Sequence, residues 1–341
     1  MGAGAMDMPR PHRLDFGDAI QYVLVRGREG ASIFFDGAIL ARFPHDVITN
    51  APHVRRLEQL IDEVCEECGT SLYAYTAEPD ALALVLRTAG ASLRTFMGRL
   101  CGQYSHYWRA TQSSTPGPGP FERRYESRVI ATEYLPHAIR RTHLRPVLAG
   151  FRRRAIDYPF SSARVYLGAA ARVPLDLDAV KAVLERRGLF GMRGYREFMD
   201  QPETEFVARL FERGSELDPR IVGNKVFVNQ VRQLIARPPR RPSRKDLITA
   251  VARLTRMEPT QIYAASSAGV LGRSLVAWYG VRSGAASLKE IGQWFSVTGA
   301  ALAQGIRHYR EVAPELFNQP SLPGLGYSSG TGIAREDGDE V

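Results

Sequence analysis

Gln304 and Arg307 stand three residues apart in Thr298-Gly-Ala-Ala-Leu-Ala-Gln-Gly-Ile-Arg-His-Tyr309. Both types can read DNA: a glutamine amide pairs with adenine at two points, and an arginine fork grips guanine or phosphate. Such reading needs side chains held along one face of a rigid helix, and the flanking sequence supplies the parts. Ser287-Leu-Lys-Glu-Ile-Gly-Gln-Trp-Phe295 opens with Ser287 and Glu290 three apart, a capping box that starts a helix. Ser296-Val-Thr298 reads as a turn, and Gly299 to Tyr309 as a second helix. This is helix-turn-helix order, in which the second helix enters the major groove. Thr298, Gly299, Ala300, Gln304, Arg307 and His308 are therefore the residues expected to meet DNA. A small helical domain that uses the same fold to contact protein is the open alternative.

The charge balance points the same way. Lys plus Arg total 45 against 36 Asp plus Glu, a formal net charge of +9. All the lysines are Lys181, Lys225, Lys245 and Lys289, so the positive charge is nearly all arginine. Arginine suits phosphate because its planar fork donates two hydrogen bonds at once. Codon usage in a GC-rich genome would produce much of the same bias, so charge supports nucleic-acid binding without establishing it. The arginines concentrate in two places. Arg237-Pro-Pro-Arg-Arg-Pro-Ser-Arg-Lys245 is an extended basic linker in which Arg240, Arg241, Arg244 and Lys245 can follow a phosphate backbone. Arg123, Arg124 and Arg128, with Arg140, Arg141, Arg145 and Arg152 to Arg154, form the other.

Cys65-Glu-Glu-Cys68 has the spacing of a metal or redox pair, but no second pair accompanies it, and three cysteines make no disulfide framework. No run approaches the ~18 apolar residues of a membrane span. The expected protein is cytoplasmic, associated with the nucleoid, and makes no membrane contact.

Periodicity supplies the elements around these residues. Residues 18–26 alternate as a strand, and Val54 to Cys68 has helical spacing. Leu72 to Thr76 and Leu82 to Arg87 read as strands about the turn at Glu78-Pro-Asp80. A helix over Ser92 to Arg109, a Pro/Gly breaker, a strand over Arg124 to Ala131 and a helix over Leu135 to Leu148 follow. The β-α-β-β-α-β order predicts an α/β (α+β) fold with a ferredoxin-like split-βαβ sheet. Asp178 to Arg187 and Glu203 to Arg213 are the best helices of a second, helical unit.

Several runs resemble the REP-associated tyrosine transposases, an HUH-type family that cuts single-stranded DNA. They are Arg10-Pro-His-Arg-Leu-Asp-Phe16, Phe121-Glu-Arg-Arg-Tyr125, Thr142-His-Leu-Arg-Pro-Val-Leu-Ala-Gly150 and Asp157-Tyr-Pro-Phe-Ser-Ser162, in the family's order over roughly half the chain. The resemblance implies a ferredoxin-like core with a metal-assisted tyrosine nucleophile. It also exposes a departure. Where the family has Pro-Asn-His-x-His-Leu-Leu, this chain has Pro79-Asp-Ala-Leu-Ala-Leu-Val-Leu86, so Ala81 and Ala83 replace both metal-binding histidines. The tyrosine matched to the nucleophile is Tyr104 in Leu100-Cys-Gly-Gln-Tyr-Ser-His-Tyr-Trp108. Leu93, Met97, Leu100, Tyr104, Tyr107 and Trp108 also recur at helical spacing, as packing residues do. A polar amide expected one turn later is replaced by Trp108 and Arg109. Without the metal, a phenol of pKa ~10 lacks the polarised phosphate it needs. Glu78 and Asp80 are the carboxylates available to a relocated metal site.

The C-terminal segment resembles the DNA-binding domain of the DnaA-type replication initiator. The arginine-rich loop expected there is thinned to Ser266-Ser-Ala-Gly-Val-Leu-Gly-Arg273, leaving Arg273. The implied organisation is a degenerate tyrosine-transposase (HUH-like) domain over 8–170, a helical linker region over 171–236, the basic linker over 237–245, a helix-turn-helix domain over 246–315 and a disordered tail over 320–341. The implied function is a domesticated, catalytically inactive transposase that binds DNA as hairpin, single strand or duplex and acts as a regulator or DNA-organising factor. No cofactor is expected. The alternatives are an active single-strand transposase using Tyr104 with Mg²⁺ or Mn²⁺, and a protein-interaction scaffold. Homodimer formation is left open.

Overall fold

The computed structural model describes residues 13–14, 16, 18–35, 51–88, 92–111, 119–189, 191–236, 241–317 and 322. The expectations for the Pro/Gly breaker at 112–118, for Arg240 and for the tail from 323 onward lie outside these residues.

A five-stranded sheet is built from β1 (Ile20–Arg26), β2 (Ser71–Ala77), β3 (Ala81–Arg87), β4 (Glu126–Ile130) and β5 (Ile221–Val222). Its order is β2-β3-β1-β4-β5, with the first four strands antiparallel and β5 parallel to β4. The α1 helix (Pro52–Cys68) connects β1 to β2, and the α2 helix (Leu93–Thr111) connects β3 to β4. This is the α+β, split-βαβ arrangement that the periodicity predicts.

β3 shows how one strand organises two layers. Leu82, Leu84 and Leu86 point to a core shared with Val54, Leu57, Ile61 and Val64 of α1 and with Phe96, Met97 and Leu100 of α2. Burying each such side chain contributes roughly 1.5–3 kcal/mol. Ala81, Ala83 and Val85 point the other way, and Val85 packs with Ala138 and Ile139 of α3 (Leu135–Leu148). Both faces are covered, which is why Ala-Leu-Ala-Leu-Val-Leu reads as nearly continuous apolar residues.

Residues 174–236 join this body. Their helices are α4 (Leu177–Glu185), α5 (Gly191–Asp200), α6 (Glu205–Arg213) and α7 (Lys225–Ala236). Val180 and Leu184 of α4, with Leu210 and Phe211 of α6, complete the core beneath α3. Ile221 and Val222 extend the sheet. The segment read as a second helical unit is therefore structurally part of the sheet layer. No helix among the described residues is long and apolar enough to cross a membrane.

The C-terminal part has its own core. It consists of α8 (Arg244–Thr255), a 3-10 turn (Pro259–Tyr263), α9 (Ser267–Arg282), α10 (Leu288–Phe295), α11 (Gly299–Val312) and the short α12 (Pro314–Phe317). α9 is buried on nearly every side and is wrapped by Leu247 and Val251, Ile262, Ile291, and Leu302 and Ile306. Two glycines permit the tight crossings. A Cβ at Gly280 would come within 2.8 Å of Ile291 Cδ1, and one at Gly305 within 2.3 Å of Ser274 Oγ.

Candidate nucleic-acid interface

α10 begins where the sequence places it. The Ser287 hydroxyl accepts from the Glu290 amide, and the Glu290 carboxylate accepts from the Ser287 amide at 2.7 Å. Ser296 ends α10 in the left-handed region, with φ 56°. Gly292 is forced by the same turn, because a Cβ there would lie 2.5 Å from the Val297 carbonyl oxygen. Thr298 then caps α11 by accepting from the Ala301 amide at 3.1 Å. Leu302, Gly305 and Ile306 face inward, so Ala300, Gln304, Arg307 and His308 are exposed along the outer side. Thr298 is exposed at the helix start, and Gly299 is half-buried. The structure thus brings the expected DNA-reading residues onto one helix. Lys289 is exposed at the start of α10 and belongs with them. It was legible in the same grammar, since the first helix of such a motif crosses the phosphate backbone.

Several expected phosphate contacts are placed differently. Arg273 does not stand in a loop. It lies on α9, 9% exposed, and donates to the carbonyls of Ile262 at 2.8 Å and Ala264 at 2.7 Å. It closes the 3-10 turn and is not free to meet phosphate. Arg244 donates to the Trp294 carbonyl at 2.8 Å, while Arg241 and Lys245 are exposed beside it. Arg128 donates to the Glu212 carbonyl at 2.7 Å, and Arg123 and Arg124 are exposed. Arg141 grips Glu203 with two nitrogens, at 2.8 and 2.5 Å, and Arg140 donates to the Gln201 carbonyl. Much of the basic concentration around α3 therefore ties α6 and the loop before it to the sheet.

The alanine strand has a clear setting. Ala81 and Ala83 are buried with Leu24 on the α3 side of the sheet, where β1 and β3 pair Leu24 with Ala83 and Arg26 with Ala81. Near this face, Arg145 of α3 donates to Glu78 Oε2 from Nε at 2.8 Å and from Nη2 at 2.5 Å. Burial raises the Glu78 carboxyl, and Arg145 draws it back. Glu78 is thus engaged by a cation. Among the described residues, no three of His, Cys, Asp and Glu come together closely enough to hold a metal ion.

Tyr104 is on the other side of the sheet. Its ring packs in the α1–α2 core against Phe34, Tyr107 and Phe121, and its hydroxyl donates to the Ile33 carbonyl at 2.7 Å. It is 0% exposed, and burial pushes the phenol well above its ordinary range. Tyr104 and positions 81 and 83 thus lie on opposite faces of the sheet. The physical reason is that α2 covers the Leu82 face while the alanines point to α3.

Two motifs singled out in the sequence meet each other instead. His143 Nε2 lies 2.8 Å from Ser162 Oγ, and its Nδ1 lies 2.7 Å from the Tyr195 hydroxyl. Ser162 in turn accepts from the Tyr75 amide at 2.9 Å. Tyr158 donates to the Ala77 carbonyl at 2.7 Å, and the Ala77 amide donates to the Phe160 carbonyl. The run from Tyr158 to Ser162 thereby covers the open edge of β2, which would otherwise present unpaired backbone groups.

No family model matches the sequence, and no curated protein matches it. Among solved structures, the chain is similar to the structure of a REP-associated tyrosine transposase bound to a REP hairpin. The TM-score is 0.36 and the identity 13%, over 50% of this chain and 96% of that one. A likeness of that size decides nothing about function.

Proposed function

We propose that this chain is a DNA-binding protein on a transposase-like core, in which strand cleavage has been lost and duplex recognition by α10 and α11 is retained. The observation that carries this reading is the exposed row Ala300, Gln304, Arg307 and His308 on a helix whose start is fixed by a capped turn. Such a row presents one adenine-pairing amide and one guanidinium at the spacing of a recognition helix. Loss of cleavage is supported by the burial of Tyr104 on the sheet face opposite Ala81 and Ala83. A phenol that cannot leave its core does not reach a phosphodiester. The protein would then act as a regulator or DNA-organising factor.

Competition binding tests the reading. Labelled duplex, hairpin and single-stranded oligonucleotides are titrated with the full chain at several salt concentrations. Duplex binding should fall with salt, and R307A should weaken it and flatten the salt slope by about one. Binding that ignores R307A and Q304A alike would sink the assignment to α11.

A further inference from the structure

One edge of α11 faces the sheet domain. Arg307 Nη1 lies 2.6 Å from Glu66 Oε2 on α1, a residue 241 positions earlier in the chain. Asp62 lies one turn before Glu66, and burial raises its carboxyl while the charges of Arg307 and Arg310 draw it back. Close backbone packing lies behind these side chains. Gly69 caps α1 in the left-handed region, and a Cβ there would come within 3.1 Å of both Val281 Cγ1 and Arg282 Cγ at the end of α9. Arg282 and Arg310 both stack on Trp278, at 4.6 and 4.7 Å from its ring centre. The acidic last turns of α1 are thus seated against the arginine edge of the helix that should read DNA.

We propose that α1 holds α11 in an autoinhibited state, with Glu66 taking the place of a DNA phosphate on Arg307 and Asp62 adding negative charge beside it, and that duplex binding releases this contact. The proposal rests on the DNA-binding reading above. Carboxylate and phosphate are alternative acceptors for the same guanidinium, so the two contacts compete. An acidic edge beside the recognition helix also repels the approaching phosphate backbone. Ala300, Gln304 and His308 stay exposed, so the contact takes Arg307 out of the base-reading row and leaves its other members open. A protein that is competent only in its released fraction binds with affinity lowered by that fraction. Arg307 is 57% exposed, which makes the gate weak and salt-sensitive.

The test uses the full chain and fluorescence anisotropy on a labelled duplex of arbitrary sequence at low salt. D62N/E66Q is compared with wild type and with E185Q/E197Q, which removes the same charge from exposed residues that pair within their own helices. D62N/E66Q should bind about fivefold more tightly than the charge-matched control. With R307A in the background, D62N/E66Q should show no gain over E185Q/E197Q. If D62N/E66Q merely tracks E185Q/E197Q while both bind, the autoinhibitory contact is overturned and the DNA-binding reading stands. If none of the proteins binds duplex at low salt, the DNA-binding reading itself falls, and the proposal with it.

Discussion

Tyr104 donates a hydrogen bond from its phenol to the Ile33 carbonyl inside the α1–α2 core, and that single bond defines what the residue does. Y104F should leave the carbonyl unpaired and cost about 1–3 kcal/mol in urea unfolding, with DNA affinity unchanged. A large loss of DNA affinity without loss of stability would contradict the structural role. His143 behaves differently because it titrates. Burial holds its pKa down at about 3, and burial first, then Arg187, holds His137 at about 4. An unfolded histidine takes up its proton near pH 6.5, so below that the unfolded chain binds more protons than the folded one. The stabilising effect is complete above pH 6.5 and is lost as pH falls toward 3. Each histidine should steepen the decline by about 1.4 kcal/mol per pH unit once the unfolded chain is protonated. Glu58 and Glu78, raised by burial, act in the opposite sense nearer pH 4.5, so the clean window is pH 7.5 to 5.5. Flat unfolding free energies across that window would contradict the burial of these imidazoles. Tyr104 was legible as a packing residue from its helical spacing with Leu93, Met97 and Leu100. Its face of the sheet was not, because that depends on which layer α2 covers.

At the level of elements, local rules specify the helix-turn-helix and tertiary packing specifies most of the rest. The capping box at Ser287 and Glu290 and the cap at Thr298 stand where spacing alone puts them. S287A should destabilise the C-terminal core by about 1 kcal/mol, read as a shift in its thermal transition. G292A should cost more, about 1–3 kcal/mol, because its new methyl meets the Val297 carbonyl, and it should weaken duplex binding by disturbing the turn. A G292A protein with unchanged stability would contradict the turn geometry. The split-βαβ order was equally legible, since β1 alternates, β2 to β4 are short strand-like runs bounded by turns or breakers, and α1 to α3 are amphipathic. Among the elements that escaped, β5 and the first turns of α9 did so for physical reasons. β5 is two residues long and exists only because β4 offers an edge. α9 has no polar face, so Ser266 to Arg273 reads as a thinned loop when most of it is the first two turns of a buried helix.

For the whole molecule, the sheet body and the helical C-terminal part are joined where α1 ends, through Gly69, Glu66 and Asp62. A contact between residues 241 positions apart leaves no trace in periodicity or motif. The sequence motifs near Thr142 and Asp157 were visible, yet their part in the fold, His143 on Ser162 at the β2 edge, needed the three-dimensional arrangement. One experiment reads both halves of recognition without cutting. Radiolabelled hairpin, single-stranded and duplex oligonucleotides are incubated with the full chain in Mg²⁺ or Mn²⁺, and each sample is divided between a native gel and a denaturing protein gel. A salt-sensitive shift on the native gel, weakened by R307A, is expected, with no label on the protein after denaturation. A covalent protein–DNA band that disappears in Y104F would contradict the loss of cutting.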